Sequence, residues 1–223
     1  MPRIDLNVPF SEKDEAKQLG ARWDGEMRTW YIPDGKSSMP FKKWLPELPY
    51  INIKAGNYYI VESSTLCWKC GESTRVFAFL LPEGHETLEA IEDDSMEFES
   101  DEVYEAWVNS PESSEWQVSD MLTIIHYVRY LPREVLARIA ALTPNYRIDY
   151  SKTTESSYFM NHCEYCGMKQ GDFQLHCEPQ GAFVPLYEED VADMILHPVN
   201  EAFAAEDGGY SYGVEFFDFM HRV

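Results

Sequence analysis

The chain has 223 residues, 44% hydrophobic and 14% aromatic, a composition that folds around a core and is too apolar for intrinsic disorder. Its net charge of −21 excludes broad attraction to phosphate backbones, because the bulk field has the wrong sign. No apolar run approaches the roughly 20 residues that span a bilayer. The opening MPRIDLNVPF also lacks the basic-then-apolar plan of a secretory signal. The expected compartment is therefore the reducing cytoplasm, with no membrane partner.

Residues 1–49 read as a small module: a strand at 3–8, a helix at 11–19 and a hairpin through ARWDGEMRTWYIP. Ser11 is the predicted N-cap, and Gly20 follows the last helical residue as a stop. Asp24-Gly25 supplies the turn of the hairpin, and a short helical turn is expected at PFKKWL, closed by Pro46 and Pro49. Residues 50–223 read as an acidic α+β domain. NYYIVESS and TRVFAFLL are predicted strands on either side of a first cysteine pair. Residues 86–116 are predicted as an acidic helix-and-loop excursion, MLTIIHYVRYL as a central strand, and PREVLARIAAL as a helix with one buried face. SSYFMNH and GDFQLH are predicted strands flanking a second cysteine pair, followed by a helix at YEEDVADMIL and a closing strand at GVEFFDFMHRV.

The two pairs are near-copies, TLCWKCGEST at 65–74 and NHCEYCGMKQ at 161–170, each Cys-x-x-Cys-Gly. Zinc prefers tetrahedral thiolate, and two short loops that each give two sulfurs can supply it. The glycine after each second cysteine, Gly71 and Gly167, permits the tight turn that aims backbone N–H groups at sulfur. The expectation is one structural zinc on Cys67, Cys70, Cys163 and Cys166, a split ribbon whose halves are separated by the domain body. Four protein ligands leave no open position for water, so Lewis-acid chemistry is not expected there. Cys-x-x-Cys also occurs in redox pairs, although those want a helix after the motif, and plain buried thiols are the third reading. His162, His176 and Cys177 lie near the second pair, Cys177 and His176 on the predicted strand. Each could substitute as a ligand, but the expected roles are a small core residue for Cys177 and surface or supporting groups for the histidines.

The module at the start is the most specific string in the chain: Leu6–Pro9, Lys13–Asp24 and Trp30–Pro33 carry Leu-Asn-Val-Pro, then Lys-Asp-x-Ala-Lys-x-Leu-Gly-Ala-Arg-Trp-Asp, then Trp-Tyr-x-Pro. This pattern resembles a small bacterial domain family of unknown function, which occurs alone or attached to plasmid-type primases and other DNA-processing proteins. The resemblance implies a recognition module near nucleic-acid machinery and implies no catalysis. On the residues themselves, a module of fewer than 50 residues needs large aromatics for its core whatever its function. Arg22, Arg28, Lys36, Lys42 and Lys43 interleave with Trp30 and Trp44, a pattern compatible with base stacking and phosphate contact. The same residues also fit core tryptophans with solvated lysines around them.

Charge divides the chain. Residues 1–54 carry nine Lys/Arg against eight Asp/Glu, while the rest carries nine against 31, a net −22. Between Arg75 and Arg129 stand 14 acids and no basic residue. Single-stranded nucleic acid is therefore expected only at residues 1–49, weakly, and a basic protein is the other expected partner. The acids Glu92, Asp93, Asp94, Glu97, Glu99, Asp101 and Glu102 could hold Mg²⁺ or Ca²⁺, although runs of this kind are usually solvated faces. HETLE at 85–89 begins like a metalloprotease helix but has Glu89 where a second histidine is needed. There is no nucleophile elbow and no phosphate-cradling glycine loop. The reading is a non-enzymatic zinc-binding recognition or adaptor protein beside nucleic-acid machinery. The alternative is an acidic inhibitor, a nucleic-acid mimic or an immunity-type partner of a basic protein.

Overall fold

The apolar run Val76–Leu81 has no polar face because both faces of its strand are covered. In the computed structural model, which describes residues 3–25, 29–45, 50–91, 98–108, 110, 113–212 and 216–223, the chain forms two compact units, Met1–Pro49 and Tyr50–Val223. The larger unit is built on two long antiparallel strands, β5 (Tyr58–Leu66) and β6 (Ser73–Leu81), paired from Tyr59↔Leu80 to Leu66↔Ser73. Successive side chains on a strand point to opposite faces. Phe77, Phe79 and Leu81 thus enter one buried cluster with Tyr58 and Ile60, while Val76, Ala78 and Leu80 enter a second with Val61.

The strands β9 (Thr123–His126), β13 (Ile195–Val199), β15 (Gly209–Tyr212) and β16 (His221–Arg222) complete a sheet in the order β15-β9-β6-β5-β13-β16. All its pairs are antiparallel except β13 with β16. On one face lies helix α3 (Arg133–Leu142), whose buried Val135 and Ile139 are four residues apart and so share one side. With it pack Phe159 of β11 (Ser156–His162), Ile53 of β4 (Ile53–Ala55) and Phe203 of β14 (Phe203–Ala205). The other face is covered by Leu175 of a short helix, α4 (Asp172–His176), with Phe183, Val191, Met194 and Met220. Two further sheets, β10-β11-β12 and β14-β4-β7-β8, use β10 (Tyr146–Ser151), β12 (Lys169–Gln170), β7 (Glu86–Ala90) and β8 (Ser114–Val118).

The fold is α+β, as expected, but several elements differ from their sequence reading. The acidic stretch 86–116 begins and ends in paired strands, β7 and β8, and among the described residues between them lies the helix α2 (Asp101–Val108). HETLE is accordingly strand from Glu86 onward and not a metalloprotease-like helix. GDFQLH is helical: Asp172, Leu175 and His176 are buried and Phe173 exposed, a spacing of three and four that suits a helix. The predicted helix at 187–196 is a 3₁₀ turn, Glu188–Val191, that runs into β13. Among its described residues the closing segment holds a 3₁₀ turn, Phe217–Phe219, and a two-residue strand.

In the first unit, β1 (Ile4–Leu6), α1 (Lys13–Leu19), β2 (Arg22–Asp24) and β3 (Thr29–Ile32) give the expected βαββ order, with strands arranged β1-β3-β2. Gly20 ends α1 in the left-handed region, its N–H on Lys17 O at 3.0 Å. Ser11 is not the cap; a 3₁₀ turn at Phe10–Glu12 leads into the helix and no side chain bonds its N-terminus. Leu6, Ala16, Ala21, Ile32, Phe41 and Trp44 form this unit's own buried cluster. Among the described residues no helix is long and apolar enough to cross a membrane.

Candidate metal centre

Each cysteine pair sits at the tip of a hairpin, the first between β5 and β6, the second between β11 and β12. The two tips have the same internal hydrogen bonds. Cys67 N donates to Glu72 O at 2.9 Å and Gly71 N to Cys67 O at 2.9 Å, while Cys163 N donates to Met168 O at 2.8 Å and Gly167 N to Cys163 O at 2.9 Å. Gly71 and Gly167 have φ of +76° and +67°, a left-handed conformation that costs other residues about 1–2 kcal/mol. No atom crowds either glycine, so the dihedral alone calls for it.

What brings the tips together lies in the stems. Asn161 on β11 behaves as a missing piece of strand, accepting from Phe77 N at 2.7 Å and donating to Phe77 O at 2.9 Å within the buried interior. The tips then clasp each other reciprocally. The residue after each first cysteine reaches the return strand of the other hairpin: Trp68 Nε1 donates to Lys169 O at 2.9 Å, and the Glu164 carboxylate accepts from Arg75 N, Nε and Nη2 at 2.8–3.1 Å. The residue four after each second cysteine crosses too. Thr74 Oγ1 accepts from Glu164 N at 3.0 Å, and Gln170 Nε2 donates to Cys67 Sγ at 3.4 Å.

The result is four sulfurs that all lie within 4.8 Å of one another, with Cys67–Cys166 at 3.7 Å and Cys70–Cys163 at 3.6 Å. A tetrahedral ion with metal–sulfur bonds of about 2.3 Å requires sulfur–sulfur separations of about 3.8 Å. A disulfide requires about 2.05 Å, and all five cysteines are free. Burial opposes the thiolate at Cys67, yet the N–H groups of Cys70 and Lys69 outweigh it and pull its pKa down to about 6. Cys163 is also lowered, burial again opposing and the N–H groups of Cys166 and Tyr165 prevailing. At Cys70 the Glu72 N–H favours the thiolate, but burial and the sulfurs of Cys166, Cys67 and Cys163 push the pKa to about 12. Burial and the crowding of sulfurs oppose ionisation at Cys70, an opposition that a divalent cation at the centre would relieve. The donor set therefore fits a metal ion.

Among the described residues this is the one group of three or more His, Cys, Asp or Glu placed to share an ion. The alternative ligands are elsewhere. His162 is buried, with Nδ1 on Met160 O at 3.0 Å and Nε2 on Asp149 at 3.1 Å. His176 stacks on Phe183 with ring centroids 4.7 Å apart, and Cys177 follows it at the end of α4, not on a strand. Of the acidic run, Glu99, Asp101 and Glu102 are exposed and join no such group; Glu92, Asp93, Asp94 and Glu97 lie outside the described residues. Gln170, Thr74, Glu164, Trp68 and Asn161 escaped the sequence reading. Their one signal is positional, two polar residues each standing four places after a Cys-x-x-Cys.

The basic and aromatic residues of the first unit fare unequally. Trp44 cannot stack on a base: it is 1% exposed, and its Nε1 donates to Glu12 at 2.6 Å. Lys43 is committed to Glu12 and Glu15 at 3.1 and 2.8 Å and lies over the Trp44 ring. Lys36 donates to Gly20 O at 3.3 Å, and Trp30 is half-buried. Arg22 and Lys42 are exposed and form no ion pair with the described residues, and Arg28 lies outside them. The exposed indole is Trp23, 52% accessible and edge-on to its cross-strand partner Trp30 at 5.7 Å.

Two curated DNA primases, both named DNA primase TraC and both from Escherichia coli, are similar to the chain over a short stretch. One is 60% identical over 45 residues, 20% of this chain and 4% of the primase; the other is 59% identical over 39 residues, 18% of this chain and 3% of the primase. The chain thus spans only a few per cent of these relatives. No solved structure matches. Residues 3–46 match the family described as a domain of unknown function, DUF5710.

Proposed function

We propose that the chain is a non-enzymatic, cytoplasmic zinc-binding protein, an adaptor that works beside nucleic-acid machinery. The observation that carries the metal reading is the meeting of four sulfurs within 4.8 Å of one another, two pairs of them at 3.6 and 3.7 Å. Thiolate softness and tetrahedral shape favour Zn²⁺ among common cellular ions, and a full set of protein ligands makes it structural. Elemental analysis of protein purified without added metal should find one zinc per chain. Substoichiometric zinc with intact thiols would refute it.

The adaptor reading is supported by the likeness of the opening segment to part of two DNA primases. Trp23, Arg22 and Lys42 are its contact residues, and the ligand is single-stranded nucleic acid held weakly. Stacking on one indole is worth about 1–3 kcal/mol per base, against repulsion from an acidic body. Fluorescence anisotropy of a labelled single strand at about 50 mM salt tests this. Absence of binding would leave residues 1–49 as a protein-contact module. A second reading, an acidic binding protein for a basic partner, is favoured by the −22 carried after residue 54.

A further inference from the structure

At the C-terminal end of the larger unit lies a cavity of about 450 Å³ whose lining includes none of the four clustered cysteines. Tyr59, Phe216, Phe217 and Phe219 line it together with Glu83 and Asp218. Local conformation builds it. Phe216 has φ of +67°, which turns the chain into the Phe217–Phe219 turn, and Glu83 comes from the turn between β6 and β7. Phe217 meets the Tyr59 ring edge-on at 5.4 Å, and Phe216 and Phe219 lie 6.4 Å apart.

Aromatic faces are electronegative and carboxylates carry full negative charge, so the chemistry that fits such a lining is an organic cation. The chain supplies its own example. The Arg222 guanidinium lies over the Phe217 ring, 4.7 Å from its centroid, with Nη2 3.8 Å from Asp218 and donating to Phe217 O at 3.5 Å. Two carboxylates against this one guanidinium leave a negative charge unbalanced. The Asp218 side chain is 94% exposed, and among the described residues no other base pairs with it or with Glu83. The volume lies within the usual range for small-ligand pockets, about 300–1,000 Å³.

We propose that this cavity docks an arginine side chain of a basic protein partner. A planar guanidinium can stack on a ring while it forks onto a carboxylate, which an ammonium cannot do. The −21 of the whole chain draws basic partners toward it. The inference rests on the second reading above and names its site; it does not depend on the metal.

The test is calorimetric titration of the full chain with the peptide acetyl-Gly-Gly-Arg-Gly-Gly-amide, its lysine and citrulline counterparts, and spermidine. Citrulline keeps the shape of arginine without the charge, and should bind at least about tenfold more weakly. Glu83→Gln with Asp218→Asn should weaken the arginine peptide about tenfold. Glu188→Gln with Glu189→Gln removes the same charge from another exposed site and should change binding less than about twofold. Equal affinity for citrulline, a preference for lysine or spermidine, or equal losses in the two paired variants would overturn the proposal. If the arginine peptide binds and the Glu83/Asp218 pair leaves it unchanged, the cavity is refuted while the acidic-partner reading survives. No binding at about 10 mM refutes both.

Discussion

Replacing Gln170 by leucine should weaken metal binding while leaving the domain folded. Gln170 is 3% exposed, and its Nε2 donates at 3.4 Å to Cys67 Sγ and at 2.8 Å to Met168 O. Leucine is close in size, so no large cavity results. Met168 O keeps its bond from Cys163 N at 2.8 Å, so the carbonyl is not orphaned and the cost to stability is small. The sulfur, by contrast, loses its only side-chain amide donor among the described residues. With a divalent ion bound, four thiolates leave the centre at a net −2, and each N–H draws off part of that charge. Hydrogen bonds to charged groups contribute about 1.5–3 kcal/mol, and the long contact to sulfur belongs at the lower end. The expected loss is about tenfold in zinc affinity, the lower bound for groups that orient metal ligands. Competition against a chromophoric chelator measures it, and the thiolate-to-metal charge-transfer band of the cobalt form should shift. Gln170→Glu, which sets a carboxylate against the thiolate, should lose more. Zinc affinity within twofold of the parent, with the cobalt spectrum unchanged, would refute the reasoning.

Cys163→Ser should lose stoichiometric zinc through gel filtration and lower the melting temperature, whereas Cys177→Ser should retain both, since Cys177 lies outside the cluster. Asp172 is 4% exposed, and burial pushes its carboxyl up to about 7. The folded state therefore keeps a proton that the unfolded chain releases near pH 4, so this group's contribution to stability falls as pH rises from about 4 to 7 and is flat above. An amide in place of the carboxyl would still offer an oxygen to Tyr127 N, so Asp172→Asn should gain about 3–4 kcal/mol on the parent across that window in urea unfolding; parallel curves would refute it. In the first unit, Trp44→Ala should cost about 3–5 kcal/mol and unfold it, read by near-ultraviolet circular dichroism. Trp23→Ala should keep the fold and reduce single-strand binding by about 1–3 kcal/mol in the anisotropy assay.

Much of the centre was legible because its rules are short-range. Cys-x-x-Cys-Gly specifies a turn whose hydrogen bonds close within six residues, and the positive φ of Gly71 and Gly167 follows from that turn. The same holds for α3, where Pro132 and the spacing of Val135 and Ile139 announce a one-faced helix. GDFQLH failed for the opposite reason. Five residues with buried positions 172, 175 and 176 are too few for periodicity to separate helix from strand, and packing on the sheet decided the matter. Trp44 and Trp23 look alike in a string of aromatics and lysines, yet one is core and the other surface, because burial depends on what the chain brings over each ring.

By itself, then, the sequence determined the two knuckle turns, the βαββ order of the opening unit and its family pattern, all written within a few dozen consecutive residues. Only the tertiary structure decided that the knuckles meet. Between Cys70 and Cys163 the described residues pass through five strands of three different sheets and two α-helices before the chain returns on β11. The junction that brings it back is one amide, Asn161, exchanging hydrogen bonds with the backbone of Phe77. Such a contact leaves no local signature. A buried backbone N–H and C=O must be paired, but any residue that arrives with the right polar groups can pair them, and arrival is a property of the whole fold.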